Sequence, residues 1–571
     1  MPFDNRKHLR NHFVLGFVPF GGDFDDFICP FISDMKRLEQ GIVMNILKED
    51  CWIVAGLGCI TVELPQGNDL TGIKWHGAIK GCRTCLVAKE NATDENLDIA
   101  SISRYHHITD IQFEDMFAAP TLMQRSDIAK EYGLRNSLPV LDQLQRERHL
   151  QSPQDIYHIM AGIASKFLKL TIAMLSPDGE ERFLKFWKSF EYPHQWSKLP
   201  NPISHIESFM MSDCLQLVMV MPFILNRSLT TNCFKSLILA KLQERTELQR
   251  NQVVNAIVRC WSIVAKCSQL AFKPSLTSSD YEELEKTLKI ELQFLTWMFP
   301  DFVSLPNLHA CLHLLQHART FGTLTNTAVG IKEMVHRIFK NMVPHTNRKN
   351  VELDLLKRYT TLQSIRHLDW FIIEDSLEED NEEPEVNSQS SRIQNIKLKK
   401  PVSAHNTMIK TNTEIFQSDL ALSYSSFGFH ASLINKSCKF YEGASYMQNE
   451  GYFEVKCHLH KNDVVTIQNG HDSRYAIIKV IFKHKGNDDH YYPFIYIDWF
   501  EDTNRKHAKL DCPLFILWRN DNSRRKIFPL TVVDEIHKTF FIHDCNARCQ
   551  DGNHGLDNNR YLKNEFFFKA V

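Results

Sequence analysis

Residues 374–385 read EDSLEEDNEEPE, a run of eight acids with no base. Such a block resists burial, because desolvating several unpaired carboxylates costs more than a core returns. Low hydrophobicity with blocky charge marks a solvated linker. NSQSS follows, and Lys397, Lys399, Lys400 and Pro401 close the stretch. The chain's 571 residues already exceed one core, since cores stop growing at roughly 250–300 residues. The run therefore reads as the joint between two folded parts, with a disordered linker expected over 371–404.

The same run governs the charge. The chain carries 66 Lys and Arg against 68 Asp and Glu, a net charge of −2, which excludes a uniformly basic nucleic-acid coat and a strongly acidic solvating chain. Taking the run's eight acids out of the 68 moves the balance to +6, so the remainder is moderately basic. Fifteen cysteines are scattered singly apart from Cys82/Cys85 and Cys545/Cys549. That spacing suits free thiols in a reducing compartment, with a metal site, better than a disulfide framework. The polar start MPFDNRKHLRNHF lacks the apolar segment of a secretory signal. The longest apolar run, residues 214–225, contains Pro222 and falls short of the roughly 20 residues a membrane span needs. A soluble intracellular protein is expected.

On the amino-terminal side, residues 12–20 (HFVLGFVPF) suggest a strand closed by Gly21 and Gly22. Residues 27–38 place Phe27, Phe31, Met35 and Leu38 on one helical face. Residues 51–64 (CWIVAGLGCITVEL) suggest a buried strand closed by Pro65. From about 115 to 345 amphipathic helices dominate, broken at residues 176–179 and 193–202. Beyond the acidic run, residues 405–450 suggest helix. Residues 452–571 turn to short segments rich in Val, Ile, Tyr and Phe, the texture of a small all-β module.

Two stretches could carry chemistry. In ITVELPQGNDLTGIKWHGAIKGCRTC (60–85), a strand would deliver Glu63 to a proline-ended turn. Rigid strand ends hold carboxylates at the spacing two Mg²⁺ ions need; a solvent-facing acid is the plainer alternative. Cys82 and Cys85 make half a zinc site. His76, or one of the adjacent pair His106 and His107, is the candidate to complete it, and two reduced structural cysteines are the alternative. In the second stretch (305–343), His309, His313 and His317 recur every four residues on one helical face. Two such imidazoles can bind zinc, but the HExxH glutamate is missing and the metalloprotease pattern fails. Polar packing is the favoured role for these histidines.

A further helix, capped by Asn326 or Thr327, carries the apolar stripe Ile331, Val335, Ile338 and Met342. Glu333, Arg337 and Lys340 share another face. An i,i+4 ion pair worth a few tenths of a kcal/mol is one role for them. An acid aimed at a metal, with cations beside it for phosphates, is the other. Arg348 and Lys349 continue the basic stretch and suit contacts to a DNA backbone.

The stretches NHFVLGFVPFGGDFDDFICPF, VELPQGNDLTG…H…GCRTC, SRYHHITD, PNPISHIESFMMSDCLQL and LPNLH…H…GIKEMVHRIFK follow in this order over residues 1 to about 370. Together they resemble the transposases of En/Spm (CACTA) DNA transposons, in the divergent form abundant in some fungal genomes. The resemblance implies an RNase H-like nuclease whose Asp-Asp-Glu triad binds two Mg²⁺. These ions activate water, then a DNA 3′-hydroxyl, for in-line attack on phosphodiesters. Carried over by motif, the second acid is Glu63, the third is Glu333, and the insertion's CxxC is Cys82 and Cys85.

Two departures from the family bear on activity. Glu63 stands where the family has Asp, and one methylene displaces a carboxylate by more than about an ångström against the narrow geometry of Mg²⁺. The residues from Met1 onward resemble an internal stretch of longer members, so the first Asp is expected upstream. Asp23, Asp25 and Asp26 open a helix and do not match it. A misplaced or missing ligand costs orders of magnitude in rate. The expectation is an N-terminally truncated remnant or domesticated transposase, catalytically inactive, that retains DNA or chromatin binding. Mg²⁺ serves only an active form, one whose start lies further upstream. Zn²⁺ is the expected structural ion.

The segments DVV, YAIIKVIF, IYIDWFED, IFPLTVVD, FFIHDC and NNRYLKNEFFF resemble a BAH (bromo-adjacent homology) domain of chromatin proteins. They are also similar to the DWF-containing end of plant En/Spm transposases. The resemblance allows Tyr491, Tyr492, Tyr496 and Trp499 to line an aromatic groove for a histone tail. Alternation along YYPFIYIDWF instead favours rings that fill the core. The expected architecture is α+β: an α/β RNase H-like core with a CxxC insertion over 1–115, a large helical insertion over 116–370 carrying the third acid, the linker, a helical connector over 405–451, and an all-β BAH-like domain over 452–571. Expected partners are DNA at transposon ends, or chromatin, in the nucleus, with no membrane and room for a homo-oligomer. The alternative is a BAH-type adaptor for histone or protein partners.

Overall fold

Helices build the chain up to residue 376, and antiparallel strands with one helix build the rest, in the computed structural model. The structure describes residues 11–18, 21–193, 196–346, 348–376, 393–403, 413–425, 437–449, 454–469, 472–519, 524–536, 539–545 and 558–570. Helix α1 (Phe24–Gln40) begins where the Asp23 carboxylate accepts from the Asp25 N–H. It ends at Gly41, whose φ of 91° favours glycine. A short exposed ribbon follows, β1 (Ile42–Ile46) and β2 (Glu49–Ile53), with Val43 opposite Trp52. Helices α2 (Leu64–Leu70), α3 (His106–Ala118) and α4 (Leu122–Tyr132) surround the CxxC loop.

The helical body comprises α5 (Ile156–Met174), α6 (Pro177–Lys188), α7 (Met211–Val218), α8 (Met221–Ser228), α9 (Ser236–Thr246), α10 (Arg250–Ala271) and α11 (Ser278–Met298). It continues through α12 (Pro306–Ala310), α13 (Leu314–Phe321), α14 (Gly330–Met342) and α15 (Val351–Ser376). Helix α5 is apolar almost all round, so it is the axis of this core. Its Phe167 stacks on Trp261 of α10 with ring centroids 4.4 Å apart. Trp261 Nε1 donates to Thr171 Oγ1 at 3.0 Å, which lets the indole be buried without an orphaned N–H. The stripe expected on α14 is partly realised: Val335 packs with Phe339, Leu355 and Tyr359, and Met342 lies beside them.

Strands β3 (Ile393–Val402), β4 (Cys438–Asn449), β5 (Glu454–His460), β6 (Val464–Asn469), β7 (Asp472–Lys485), β8 (Tyr491–Lys506), β9 (Pro513–Trp518), β10 (Ile527–Pro529), β11 (Val533–Ile536), β12 (Phe541–His543) and β13 (Arg560–Lys563) form one eleven-stranded sheet. All its pairings are antiparallel. One face encloses Ile478, Ile481, Ile495, Ile497 and Trp499. The other carries Val480, Phe482, Tyr492 and Phe494 and is covered by Phe416, Leu420 and Tyr424 of α16 (Glu414–Tyr424). A register shift between Ile478 and Val480 lets one strand serve both cores.

The chain is α+β, as expected, but the parts differ from the sequence reading in four places. Residues 11–18 hold no strand. The strand expected over 51–64 stops at Ile53. Beyond it the backbone bonds outward instead of into a ladder, Ala55 N–H to Leu38 O and Ile60 N–H to Gln151 O, and Gly56 and Gly58 offer no side chains to pack. Residues 393–402, placed in the linker, are strand β3, because Ile393 and Ile396 reach the sheet core while Lys397, Lys399 and Lys400 face water. Within the expected helical connector only Glu414–Tyr424 is helical, and Cys438–Asn449 pairs with β3, β5 and β7. The sheet thus begins well before residue 452. Most of the acidic run, and parts of the connector, lie outside the described residues.

The sheet is also not a separate module. Leu514, Ile542, Leu562, Phe566 and Phe568 belong to the same core as the helical body. Phe568 stacks on Phe272 at 5.0 Å, and Asn564 Nδ2 donates to the Met219 carbonyl at 3.0 Å. No helix is long and apolar enough to cross a membrane among the described residues.

Candidate metal centre

Cys82 and Cys85 lie in a loop whose turn is held by buried Arg104: its Nε donates to the carbonyls of Cys82 (2.8 Å) and Cys85 (3.2 Å). The Thr84 N–H points at Cys82 Sγ at 3.4 Å, the inward-turned amide of a thiolate-binding knuckle. From the far end of the helical body, α12 brings His309, and a 3₁₀ turn between α12 and α13 brings His313. All four residues are buried, and their ligand atoms lie within 4.8 Å of one another. Cys82 Sγ is 3.4 Å from His313 Nε2, Cys85 Sγ is 3.3 Å from His309 Nε2, and the two Nε2 atoms are 3.2 Å apart. Zinc bonds of about 2.3 Å to sulfur and about 2.0–2.1 Å to nitrogen, at tetrahedral angles, place S and N about 3.6 Å apart and two N atoms about 3.4 Å apart. The four side chains therefore fit a metal such as zinc, in a closed site made of protein ligands alone.

The surroundings tune the ligands. His309 Nδ1 donates to the Ala92 carbonyl at 2.7 Å, so its Nε2 lone pair faces the thiols. Burial opposes ionisation of Cys82, but the hydrogen bond with Cys85 and the nearby His313 and His309 imidazoles outweigh it and hold its thiol well below the ordinary value. Burial lowers His313, which favours the neutral, ligating ring. Gln154 Nε2 completes the polar contacts to Cys82 at 3.8 Å.

The sequence reading found the two cysteines and joined the wrong histidines to them. His106 starts α3, where its Nδ1 accepts from the Arg148 N–H and its Nε2 pairs with Asp110; His107 is exposed beside Tyr105. His76 lies near enough to Cys82 to feel its charge but is not in the ligand group. His309 and His313, read as polar packing, are the partners. His317 continues their face and is fully buried without a hydrogen bond on either ring nitrogen; burial holds it neutral, at about 3. The signal was C-x₂-C with H-x₃-H, obscured because the halves stand more than two hundred residues apart.

Around this centre the acids carried over from the resemblance converge on one imidazole. Glu63 caps α2 rather than ending a strand, is more than half exposed, and places Oε2 4.0 Å from His158 Nε2. Asp155, the N-cap of α5, takes His158 Nδ1 at 2.6 Å and accepts from the Val329 N–H, just before α14, at 3.0 Å. Glu333 stands in the first turn of α14, 3.5 Å from His336. Burial lowers His158, but the Asp155 hydrogen bond and the charges of Asp155, Glu333 and Glu63 outweigh it, so the imidazole is held above its ordinary value. Asp155 had not been singled out; its signal was the N-cap pattern ahead of an apolar helix. Among the described residues no three carboxylates come within ligand distance of one another.

Arg337 and Lys340 are exposed on α14, and Arg348 and Lys349 are exposed just beyond it. The candidate aromatic groove divides. Tyr492 and Trp499 are buried in opposite cores, and Trp499 Nε1 donates to the Arg525 carbonyl at 2.8 Å. Tyr496 leans on Phe416, and Tyr491 lies under the ammonium groups of Lys439 and Lys483. The rings build the sheet, and no cage forms among them. No protein-family model matches the chain, and no curated protein matches it.

Proposed function

We propose that this protein is a transposase-derived DNA-binding protein in which a zinc-held helical body is kept and strand transfer is lost. On this reading the β1–β2 ribbon and the helices that follow it are what remains of an RNase H-like core. The observation that carries the reading is the pairing of Cys82 and Cys85 with His309 and His313, which brings Glu63 and Glu333 toward the same imidazole, His158. The order of motifs along the chain supports it. Loss of two-metal chemistry is supported by the acids themselves: Glu63 is a half-exposed helix cap, and a cationic His158 occupies the middle of the carboxylates, where a divalent ion would be repelled. The exposed cations Arg337, Lys340, Arg348 and Lys349 supply contacts for phosphates.

The test is duplex-DNA binding by the full chain across a salt series, with Mg²⁺- or Mn²⁺-dependent nicking measured in parallel. Salt-sensitive binding without nicking is expected. Robust nicking that Glu333→Gln abolishes would overturn the loss of catalysis, and salt-independent or absent DNA binding would overturn the reading as a whole.

A further inference from the structure

A second set of ligand-type side chains meets where the sheet docks on the helical body. Glu191 lies just past α6, His543 ends β12, and Cys545 is two residues further on. One ligand atom from each lies within 4.8 Å of the other two. His543 and Cys545 approach to 3.4 Å between Nδ1 and Sγ, close to the roughly 3.6 Å between S and N on a tetrahedral zinc ion.

The imidazole is oriented for this. His543 Nε2 lies 3.1 Å from the Asn558 carbonyl oxygen, which can only accept, so Nε2 carries the proton and Nδ1 turns its lone pair toward the thiol. His309 is set in the same way, with its nitrogens exchanged. Arg227 organises the carboxylate: Nη1 donates to Glu191 Oε2 at 2.9 Å and Nη2 to the His543 carbonyl at 2.5 Å. A carboxylate offers about four lone-pair positions, so this pairing leaves Glu191 able to ligate. An S–H···N hydrogen bond beside a Glu–Arg ion pair explains each contact separately. It does not explain why carboxylate, imidazole and thiol converge from two layers of the fold.

We propose that Glu191, His543 and Cys545 form a second transition-metal site, of the zinc class, that clamps the end of β12 to the helical body. The mixed O, N and S donor set suits Zn²⁺, and three protein ligands leave one coordination position for water. The site is independent of the DNA-binding proposal and of the first centre.

The experiment uses the full chain loaded with Zn²⁺, freed of excess ion, and assayed by elemental analysis and by competition with a chromophoric chelator. Two zinc ions per chain are expected, with Cys545→Ser losing one and Cys82→Ser losing the other. Glu191→Gln, which preserves the side-chain shape, is expected to weaken the second ion by roughly tenfold or more while the first is retained. A zinc content unchanged by Cys545→Ser overturns the proposal, and so does wild-type affinity in Glu191→Gln. A chain in which Cys545→Ser removes the only bound ion supports this site and counts against the first.

Discussion

Cys85 Sγ and His309 Nε2 lie 3.3 Å apart although 224 positions separate them in sequence. With Cys82 and His313 they tie the loop after α2 to the α12–α13 turn. Because structural metal ligation stabilises the folded state directly, Cys82→Ser and His313→Ala are each expected to destabilise the chain by at least about 3 kcal/mol, or to prevent folding. Thermal unfolding with and without a chelator checks this. The wild type should lose stability on chelation, and the variants should not respond further.

His158 gives a pH signature. Its folded-state value is raised, so the stabilisation it brings is fully present below its ordinary value of 6.5 and is lost as pH rises through the raised value. Denaturant unfolding of wild type and His158→Gln should therefore differ most in acid and converge in alkali. A gap that widens with pH would contradict the imidazolium among Asp155, Glu63 and Glu333.

Glu291 of α11 behaves in the same direction for a different reason. It is fully buried, neither carboxyl oxygen is hydrogen-bonded, and burial pushes it up to about 8, with the nearby Cys267 and Cys311 thiols offsetting little. The acid is neutral in the fold at pH 7, and its contribution is lost as pH rises from 4.5 through about 8. Glu291→Gln should gain on the wild type over that range, by on the order of 3 kcal/mol at its alkaline end. Unfolding midpoints in mild acid and mild alkali measure the difference.

Gly162 connects packing to the metal. A Cβ there would sit 2.4 Å from Asn307 Nδ2, which donates to the His158 carbonyl at 3.1 Å and lies two residues before His309. Gly162→Val should displace α12, cost about 1–3 kcal/mol by overpacking, and speed metal loss to a chelator. A variant as stable as wild type but with faster metal loss would still implicate α12; unchanged stability and unchanged metal retention would not.

Phosphate contacts are read from salt. Replacing Arg337, Lys340, Arg348 and Lys349 by Ala should weaken DNA binding across sequences and flatten the salt dependence by about one unit of slope for each contact removed. Equal slopes for wild type and the fourfold variant would place the DNA elsewhere.

What the sequence revealed follows the range of each interaction. Helical periodicity is local, so α1 and the helices beyond residue 115 were legible, as was the alternation of the later strands. Strand β3 was missed because its lysines resembled the end of a linker, while its pairing with β4 is a contact across some fifty residues. The strand over 51–64 failed because apolar residues cannot substitute for partner strands, and the backbone there bonds to Leu38 and Gln151. The metal centre was half legible: CxxC is a local signature, whereas the choice of histidines depends on how the whole helical body folds back. Asp155, which joins the starts of α5 and α14, carried no signal beyond an ordinary helix cap.

The most direct test of the central claim is X-ray absorption at the zinc edge of the full chain carrying Cys545→Ser, which isolates the first centre. The structure predicts two sulfur ligands at about 2.3 Å and two nitrogen ligands at about 2.0–2.1 Å, with the sulfur shell lost on Cys82→Ser. A shell of nitrogen and oxygen alone, or one that ignores His309→Ala and His313→Ala, would contradict it.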